Sequence, residues 1–218
     1  QILDWRHLFD KHEVHLMGVH ENKKDKYNYF YGHMTQFADF TNPEFANAAQ
    51  YQELNSYMNE YALEGYLLKG EYSYVDRYYL TASIRRDGSS RFGKDVRWGT
   101  FWALGGAWRI SEEPWFAGLK KQVSNLKLKA SYGTQGNDKI ITHAYHDQYS
   151  VDRVNGYPAF SKTLRGNKSL TWEKQAMFNA GFELGLYSRV NVNFDFFVKN
   201  NNDMLFRSPL AASEGTPS

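Results

Sequence analysis

The stretch from Asp76 to Phe116, DRYYLTASIRRDGSSRFGKDVRWGTFWALGGAWRISEEPWF, is the most informative part of this chain about its fold. It contains two segments of alternating residues on either side of a polar, glycine-containing loop. In both segments aromatic and small apolar residues occupy one face, while Thr, Ser, Arg and Gly occupy the other. A strand with lipid on one side and water on the other has this pattern. The stretch therefore predicts a membrane-crossing β-hairpin.

The composition agrees with strands rather than helices as the membrane-crossing elements. Apolar residues make up 42% of the 218 residues, and the mean hydropathy is -0.66. No long uncharged apolar run occurs, so the sequence predicts no transmembrane helix. Barrel strands alternate lipid-facing and polar lumen-facing residues, and this keeps the mean hydropathy low.

Aromatic content, charge and cysteine count limit the function classes. Aromatic residues reach 17%, which suits interfacial girdles and a carbohydrate-binding surface equally well. The 26 Lys and Arg against 24 Asp and Glu leave a net charge of +2, which gives no electrostatic support for nucleic-acid binding. Cysteine is absent, so disulfides and thiolate metal sites are excluded.

The alternation predicts eight antiparallel strands in an up-and-down order. Several exceed the soluble norm of about 5–6 residues and reach the roughly 9–11 that a tilted membrane-crossing strand needs. The predicted strands are Ile2–Phe9, Val14–Phe30, Tyr61–Tyr74, Arg77–Arg86, Arg97–Ser111, Asn125–Asn137, Ser169–Gly185 and Val190–Asn200.

The predicted connections alternate between short and long. The shorter ones are Asp10–Glu13, Val75-Asp76, Glu112–Ser124 and Leu186–Arg189. The longer ones are Tyr31–Asn59, with a weak helical pattern over Pro43–Tyr57, then Asp87–Val96, Asp138–Lys168 and Asn201 onward, where Ala211–Ser218 resembles a loop. Outer-membrane barrels sort their loops in this way. A soluble sandwich, in which the apolar face would be core, does not require such sorting.

The last predicted hairpin shows the two faces clearly. One face carries Phe178, Ala180, Phe182, Leu184, Val190, Val192, Phe194, Phe196 and Val198, which we assign to lipid. Aromatic residues also gather near the short turns, as expected for a girdle at one interface or for ordinary cross-strand pairing. These are Tyr72, Tyr74, Tyr78, Tyr79, Trp108, Trp115, Phe116 and Tyr187.

The opposite face supplies candidates for a lumen wall. The charged candidates are Arg85, Lys127, Lys129, Glu183, Asp195 and Lys199. They can contact a passing substrate or brace the interior by ion pairs, and the two roles are compatible.

The candidate extracellular rim combines two loops. In the first, Asp87-Gly88 can reverse a hairpin, Asp87 can pair with Arg91 across the loop, and Ser89 and Ser90 can satisfy backbone groups. A brace role is favoured there over contact with substrate or a partner. The candidate contacts are Asp87, Ser89, Arg91 and Phe92 in this loop, with Tyr145, Tyr149, Tyr157 and Phe160 in the second. The second set can stack on sugars, pack on a lid protein or equally well pack the loop on itself.

The sequence predicts no catalytic, cofactor or metal site. His143, His146 and Asp147 lack the further ligands and the helical periodicity that a metal site would need. Glu112-Glu113 precedes Pro114 and predicts a turn rather than the separated acid pair of a glycosidase. No nucleophile elbow or phosphate-binding loop occurs.

Four segments resemble a known family. They are YSYVDRYYLTASIRRDGSSRFG (Tyr72–Gly93), RWGTFWALGGAWRISEEPWF (Arg97–Phe116), LKLKASYGTQGND (Leu126–Asp138) and LTWEKQAMFNAGFELGL (Leu170–Leu186). In this order they resemble the carboxy-terminal half of the barrel in SusC/RagA-type TonB-dependent transporters of Bacteroidota. The resemblance implies an all-β, antiparallel up-and-down transmembrane β-barrel of 22 strands around a plug. Residues 1–218 would supply about eight of those strands, with no plug, as a portion of a longer polypeptide.

The resemblance also implies a function. It implies import of oligosaccharides or peptides across the outer membrane, driven through the TonB complex, with a SusD-like surface lipoprotein as a lid and no chemistry on the substrate. The alternative from composition is a soluble all-β carbohydrate-binding module. A β-rich glycoside hydrolase is the weakest candidate, because no separated pair of acids stands out.

Overall fold

The computed structural model describes residues 1–206, apart from the side chains of residues 152 and 153, so the predicted loop at Ala211–Ser218 lies outside the described residues. Ten strands occur within that range. They are β1 Ile2–Phe9, β2 His12–Phe37, β3 Ala48–Tyr74, β4 Tyr78–Ser89, β5 Trp98–Arg109, β6 Val123–Asn137, β7 Gln148–Val154, β8 Tyr157–Leu164, β9 Glu173–Leu186 and β10 Val190–Asn202. Three short 3-10 helices occupy Phe45–Asn47, Ile110–Glu112 and Pro114–Leu119.

Eight of these strands form one sheet in the order β1-β2-β3-β4-β5-β6-β9-β10, and β7 and β8 form a separate two-stranded sheet. All neighbours in both sheets are antiparallel. The predicted all-β, up-and-down arrangement of eight strands is therefore confirmed. Among residues 1–206, no helix is long and apolar enough to cross a membrane.

The strand register aligns the apolar residues on one side of the sheet, which we call the outer face. Leu68 pairs with Ile84, and Ile84 pairs with Trp102. These three side chains are 60%, 49% and 46% exposed. The predicted apolar set of the last hairpin shares this face through pairs such as Phe182 with Phe194. We call the opposite, more polar side the inner face.

The two ends of the sheet differ in the length of the connections between strands. At the end that we call the turn end, strands reverse within a few residues, as at Asp10-Lys11 and at Val75–Arg77. At the other end, which we call the loop end, the connections are 38–47, 90–97 and 138–172. The predicted sorting of loops by side holds at three of the four turn-end connections, but the fourth, 110–122, is longer than the loop-end connections 38–47 and 90–97.

The turn after β3 holds a β-branched residue in a strained conformation. Val75 and Asp76 have φ angles of 53° and 58°, and the Arg77 amide donates to the Tyr74 carbonyl at 3.0 Å. Two consecutive positive φ values define a type I′ turn, which favours Asn and Gly. A β-branched side chain is disfavoured there, at a cost on the order of 1–3 kcal/mol.

We therefore expect the Val75→Asn variant of the full-length protein to be more stable than wild type by about 1 kcal/mol. The measurement is the urea midpoint of unfolding in detergent micelles. Val75→Ile, which keeps the branch, should leave the midpoint unchanged. A midpoint that falls in the Asn variant would show that Val75 makes contacts worth more than its backbone strain.

The strands β2 and β3 correct one prediction. They contain 26 and 27 residues, and their pairing continues to Phe37 with Ala48. The predicted irregular segment Tyr31–Asn59 is thus mostly strand, and the weak helical pattern over Pro43–Tyr57 is represented only by the 3-10 turn Phe45–Asn47. In the part of β2 and β3 toward the loop end, residues 25–37 and 48–60, which we call the distal hairpin, most side chains of both faces are exposed. Its sequence therefore does not need the alternation that identifies a strand.

Two further loop predictions were wrong in detail. β4 continues through Ser89, and Gly88 pairs with Trp98 within the ladder, so Asp87-Gly88 does not reverse the hairpin. A Cβ on Gly88 would lie 3.0 Å from the Trp98 ring, which explains the glycine by a close approach instead. The predicted loop Asp138–Lys168 contains the hairpin β7–β8.

Candidate functional site

Three predicted lumen-wall residues meet on the inner face. The Lys129 Nζ atom lies 2.8 Å from Asp195 Oδ1 and 3.8 Å from Glu183 Oε1. These side chains come from β6, β10 and β9, because the register places residues of like parity side by side. All three are one-third exposed or more. The cluster therefore forms a solvated strip of the inner face in which two carboxylates share one ammonium.

Arg85 forms a second, tighter cluster near the loop end. Its Nε atom donates to both carboxylate oxygens of Asp87 at 2.8 Å, and its Nη2 atom donates to Glu21 Oε2 at 2.8 Å. A Cβ on Gly65 would lie 2.5 Å from Asp87 Oδ1, so a larger residue there would displace the pair from its present geometry. Asp87 is only 7% exposed.

The expected pair between Asp87 and Arg91 is not formed. Asp87 and Arg85 are two residues apart on one strand, so both side chains lie on the inner face and meet directly. Two further wall candidates are Lys127, which lies opposite Glu183 on β9, and Lys199, which lies opposite Met177. The Lys127 side chain turns to an aromatic ring. Its ammonium is 5.5 Å from the centre of the Tyr79 ring.

Small residues line a shallow trough beside the Lys129 cluster. The trough has a volume of about 410 Å³ and includes Thr81, Gly105, Ser131 and Gly181, with Lys129 and Asp195 at its side. On the inner face the sheet thus combines ion-paired side chains with bare backbone. Such a surface can contact a polar solute or another part of the protein without a deep binding cavity.

A compact aromatic core stabilises the loop end. Phe92, Phe101 and Trp172 are 0%, 6% and 4% exposed and form what we call the rim cluster. The ring centre of Trp172 lies 5.4 Å from that of Phe92 and 5.5 Å from that of Phe101. The Trp172 indole donates to the Arg97 carbonyl at 2.8 Å. The cluster joins the 90–97 connection to the segment before β9.

Asp138 is the polar centre of the same region. Its Oδ2 atom accepts hydrogen bonds from Tyr61 at 2.9 Å and from Ser89 at 2.7 Å. Arg91 donates to the Asp138 carbonyl at 3.0 Å, and its guanidinium lies 4.6 Å from the Tyr61 ring centre.

This geometry favours the brace role for the first rim loop. Ser89 and Phe92 are 0% exposed, and Arg91 is held by Asp138. The predicted backbone contacts of the serines are present, since Ser90 Oγ accepts from the Ala62 amide and Ser89 Oγ from the Arg91 amide. Contact of these residues with a substrate or partner stays a prediction.

The second rim loop presents its aromatic residues separately. Tyr145 packs against His146 with ring centres 4.3 Å apart, Tyr149 lies below Lys162, and Tyr157 is 77% exposed where β8 begins. Asp147 fastens the base of the hairpin by accepting from Lys162 Nζ and from the Gly166 amide, both at 2.8 Å. These contacts, with that of Lys162 the larger, hold the pKa of Asp147 below its usual range.

Within residues 1–206, no group of three or more His, Cys, Asp or Glu side chains could hold a metal ion. In the predicted turn, Glu112 ends the 3-10 helix Ile110–Glu112, and Glu113 lies between it and the helix Pro114–Leu119. Glu113 accepts from Tyr78 Oη at 2.5 Å and Trp108 Nε1 at 2.9 Å, and these bonds, chiefly that of Tyr78, lower its pKa.

Glu113 thereby fixes part of an aromatic belt at the turn end. The Tyr78 ring stacks between those of Tyr74 and Trp108, each with ring centres 6.3 Å away. The sequence predicted the aromatic members of this belt. It did not indicate that a carboxylate would accept hydrogen bonds from two of them.

Comparisons with known proteins agree with this architecture. The family model described as TonB dependent receptor-like, beta-barrel matches residues 2–218. TonB-dependent receptor P39 of Formosa agariphila is 39% identical over 160 residues, which cover 71% of this chain and 15% of that protein. TonB-dependent receptor SusC of Bacteroides thetaiotaomicron is 34% identical over 166 residues, covering 72% of this chain and 16% of that protein.

A solved structure extends the likeness to the whole fold. The structure of the RagAB peptide transporter superposes with a TM-score of 0.89 at 26% identity, covering 98% of this chain and 24% of that chain. This chain therefore spans about a quarter or less of the relatives it matches. Matches over nearly all of its own length place it within the barrel wall of such proteins. The chain belongs to the TonB-dependent receptor β-barrel family, in its SusC/RagA branch.

Proposed function

We propose that residues 1–218 form part of the barrel domain of an outer-membrane transporter that actively imports oligosaccharides or peptides. The family is one of transporters rather than enzymes and implies the outer membrane of a Gram-negative, Bacteroidota-like bacterium. The observation that carries the proposal is the outer face, whose large apolar side chains are exposed between two belts of aromatic residues.

The spacing of the belts fits a bilayer. The turn-end belt contains Tyr78 and Trp108, and the loop-end belt contains Tyr66 and Trp98, whose ring centres are 6.3 Å apart. Arg86, at the loop-end level, is eight residues beyond Tyr78 on β4. Eight residues extend about 26 Å along a strand, or about 20 Å along the membrane normal at a tilt of ~40°. The apolar band of outer-membrane barrels is ~25 Å tall.

This proposal gives the two ends an orientation. The short turns would face the periplasm, and the long connections would lie outside the cell. The inner face would then line the passage, with Arg85, Lys127, Lys129, Glu183 and Asp195 on its wall. Their charges are mixed, which suits neutral glycans and peptides alike. No covalent step on the substrate is expected.

The loop end would receive a SusD-like surface lipoprotein, while coupling to the TonB complex would involve other parts of the protein. Two projecting hairpins carry large exposed side chains that such a partner could cover. They are Tyr149, Val151, Val154, Tyr157 and Phe160 on β7–β8, and Tyr27, Phe30, Phe40, Tyr51, Leu54 and Tyr57 on or beside the distal part of β2–β3.

A soluble carbohydrate-binding module is not favoured. Among the described residues, the buried apolar side chains are Phe92, Phe101, Phe116, Ala144 and Trp172. A soluble domain of this size buries most of its large apolar residues. Here the large apolar residues of the outer face are exposed. Contact with lipid would cover them, as burial in a core does in a soluble domain.

Cell fractionation of a strain that produces the full-length protein tests the proposal. We expect the protein in the outer membrane, together with a surface lipoprotein when it is purified in mild detergent. Deleting its gene should abolish growth on one class of oligosaccharide or peptide while growth on the corresponding monomers continues. Recovery as a soluble periplasmic protein would overturn the proposal.

A further inference from the structure

A groove crosses the outer face just below the loop-end belt. Its volume is about 560 Å³, and Gly18 lies at its floor. Leu3, Leu68 and Ile84 form its walls. These side chains belong to adjacent strands β1, β2, β3 and β4, and the register brings them to one level. The groove is therefore a mainly apolar recess on the surface that would face lipid.

Glycine at position 18 keeps the groove open. A Cβ built there would have no atom within 4 Å. A side chain at position 18 would therefore clash with nothing, whereas one at Gly65 or Gly88 would. The φ angle of Gly18 is not positive, so the backbone does not require glycine either. In a strand, a glycine without such a reason is unfavourable compared with a β-branched residue. The effect of having glycine at position 18 is the empty space above its backbone.

A polar head group site adjoins the upper end of the groove. Arg86 lies 5.3 Å from the Trp98 ring centre, and His20 stacks on Tyr66 with ring centres 4.8 Å apart. The nearby carboxylate of Glu64 is engaged by the Tyr66 hydroxyl at 2.5 Å and by His20 at 3.4 Å. Within residues 1–206, no carboxylate lies within ion-pair distance of Arg86, although many other cations of the sheet are paired.

We propose that this site binds a phosphorylated glycolipid of the outer leaflet, of the lipid A type. The Arg86 guanidinium would hold the phosphate through paired hydrogen bonds, for which its planar fork is suited. The aromatic rings of Tyr66 and Trp98 would pack against the sugar, and one acyl chain would lie over Gly18. The inference rests on the outer-membrane location proposed above.

The three parts of the site together select this occupant. The groove accounts for an acyl chain, the unpaired guanidinium for an anion, and the exposed rings for a sugar face. A soluble anion would leave the groove unused, and a neutral lipid would leave Arg86 unpaired. The site lies at the loop end, the level of the outer leaflet, where phosphorylated glycolipids are found.

Native mass spectrometry of the full-length protein in detergent, titrated with purified lipid A, tests the inference. We expect one tightly bound molecule for wild type. Arg86→Gln and Gly18→Leu should each weaken binding by about tenfold or more, because one removes a charge-assisted contact and the other fills the groove. Gly106→Leu, on the same face but toward the turn end, is the matched control and should bind as wild type does.

Competing ligands identify the chemistry. Dephosphorylated lipid A should bind wild type about as weakly as lipid A binds Arg86→Gln, and inorganic phosphate should not displace lipid A. The inference would be overturned if lipid A bound wild type, Arg86→Gln and Gly18→Leu equally. It would also be overturned if phosphatidylethanolamine bound wild type as tightly as lipid A does. Fractionation to the outer membrane is measured separately, so failure here is distinguishable from failure of the proposed function.

Discussion

Replacing Trp172 with alanine is expected to open the loop end while the membrane-crossing part of the sheet stays folded. Trp172 is 4% exposed and contacts both other members of the rim cluster. Truncating a buried tryptophan costs about 3–5 kcal/mol through lost burial and the cavity that remains. The cost falls on this region because Trp172 packs directly on Phe92 of the 90–97 connection and binds the Arg97 carbonyl.

Hydrogen–deuterium exchange of the full-length protein measures this opening. Amides of residues 90–97, which lie between β4 and β5, should exchange faster by two orders of magnitude or more, roughly the factor expected for a loss of about 3 kcal/mol. Amides in the centre of β4 and β5 should keep their protection, because their ladder partners are unchanged.

Two matched variants separate the causes. Trp172→Phe keeps most of the packing but loses the bond from Nε1 to the Arg97 carbonyl, and should cost only about 1 kcal/mol. Trp102→Ala truncates a different tryptophan, which lies on the outer face and is 46% exposed, and should leave exchange at the rim unchanged. Unchanged rim exchange in Trp172→Ala would show that the rim cluster does not hold the loops.

The membrane-crossing part of the fold was predictable from the sequence because its physics is local. Alternate residues of one strand meet lipid and water, so period-two patterns such as Phe178–Leu184 specify the strand and its faces together. Beyond the membrane this constraint ends. In the distal hairpin, Tyr27, Tyr29 and Tyr57 gather around water-exposed strands, and pairing between neighbours rather than alternation sets the structure.

The candidate site was only partly predictable. Lys129, Glu183 and Asp195 could be assigned to one face by parity, but their contact depends on the register of three strands. Asp138 was not identified as the centre of the rim. Its partners Tyr61 and Ser89 are 77 and 49 residues away in sequence, and no local pattern indicates such a contact. Long-range side-chain contacts of this kind require the folded sheet.

Replacing Arg85 with alanine is the change on the inner face with the largest expected effect. Asp87 is 7% exposed in the wild-type fold, and the substitution would remove its cation. Removing one partner of a well-buried pair costs about 3–5 kcal/mol, and an exposed pair about 0–1 kcal/mol. Arg85 is 32% exposed, so we expect a cost between these limits, about 2 kcal/mol.

A double-mutant cycle on the full-length protein in detergent measures this cost from urea midpoints. Arg85→Ala combined with Asp87→Ala should be less destabilised than the sum of the single variants by about 1–2 kcal/mol, because the uncompensated carboxylate is then absent. Lys129→Ala is the control, since its partners are 34% and 57% exposed, and it should cost less than ~1 kcal/mol. Additive single effects would mean that water already screens the Arg85 pair. Non-additive effects would identify it as a structural brace of the wall, and substrate would then have to pass beside the pair rather than separate it.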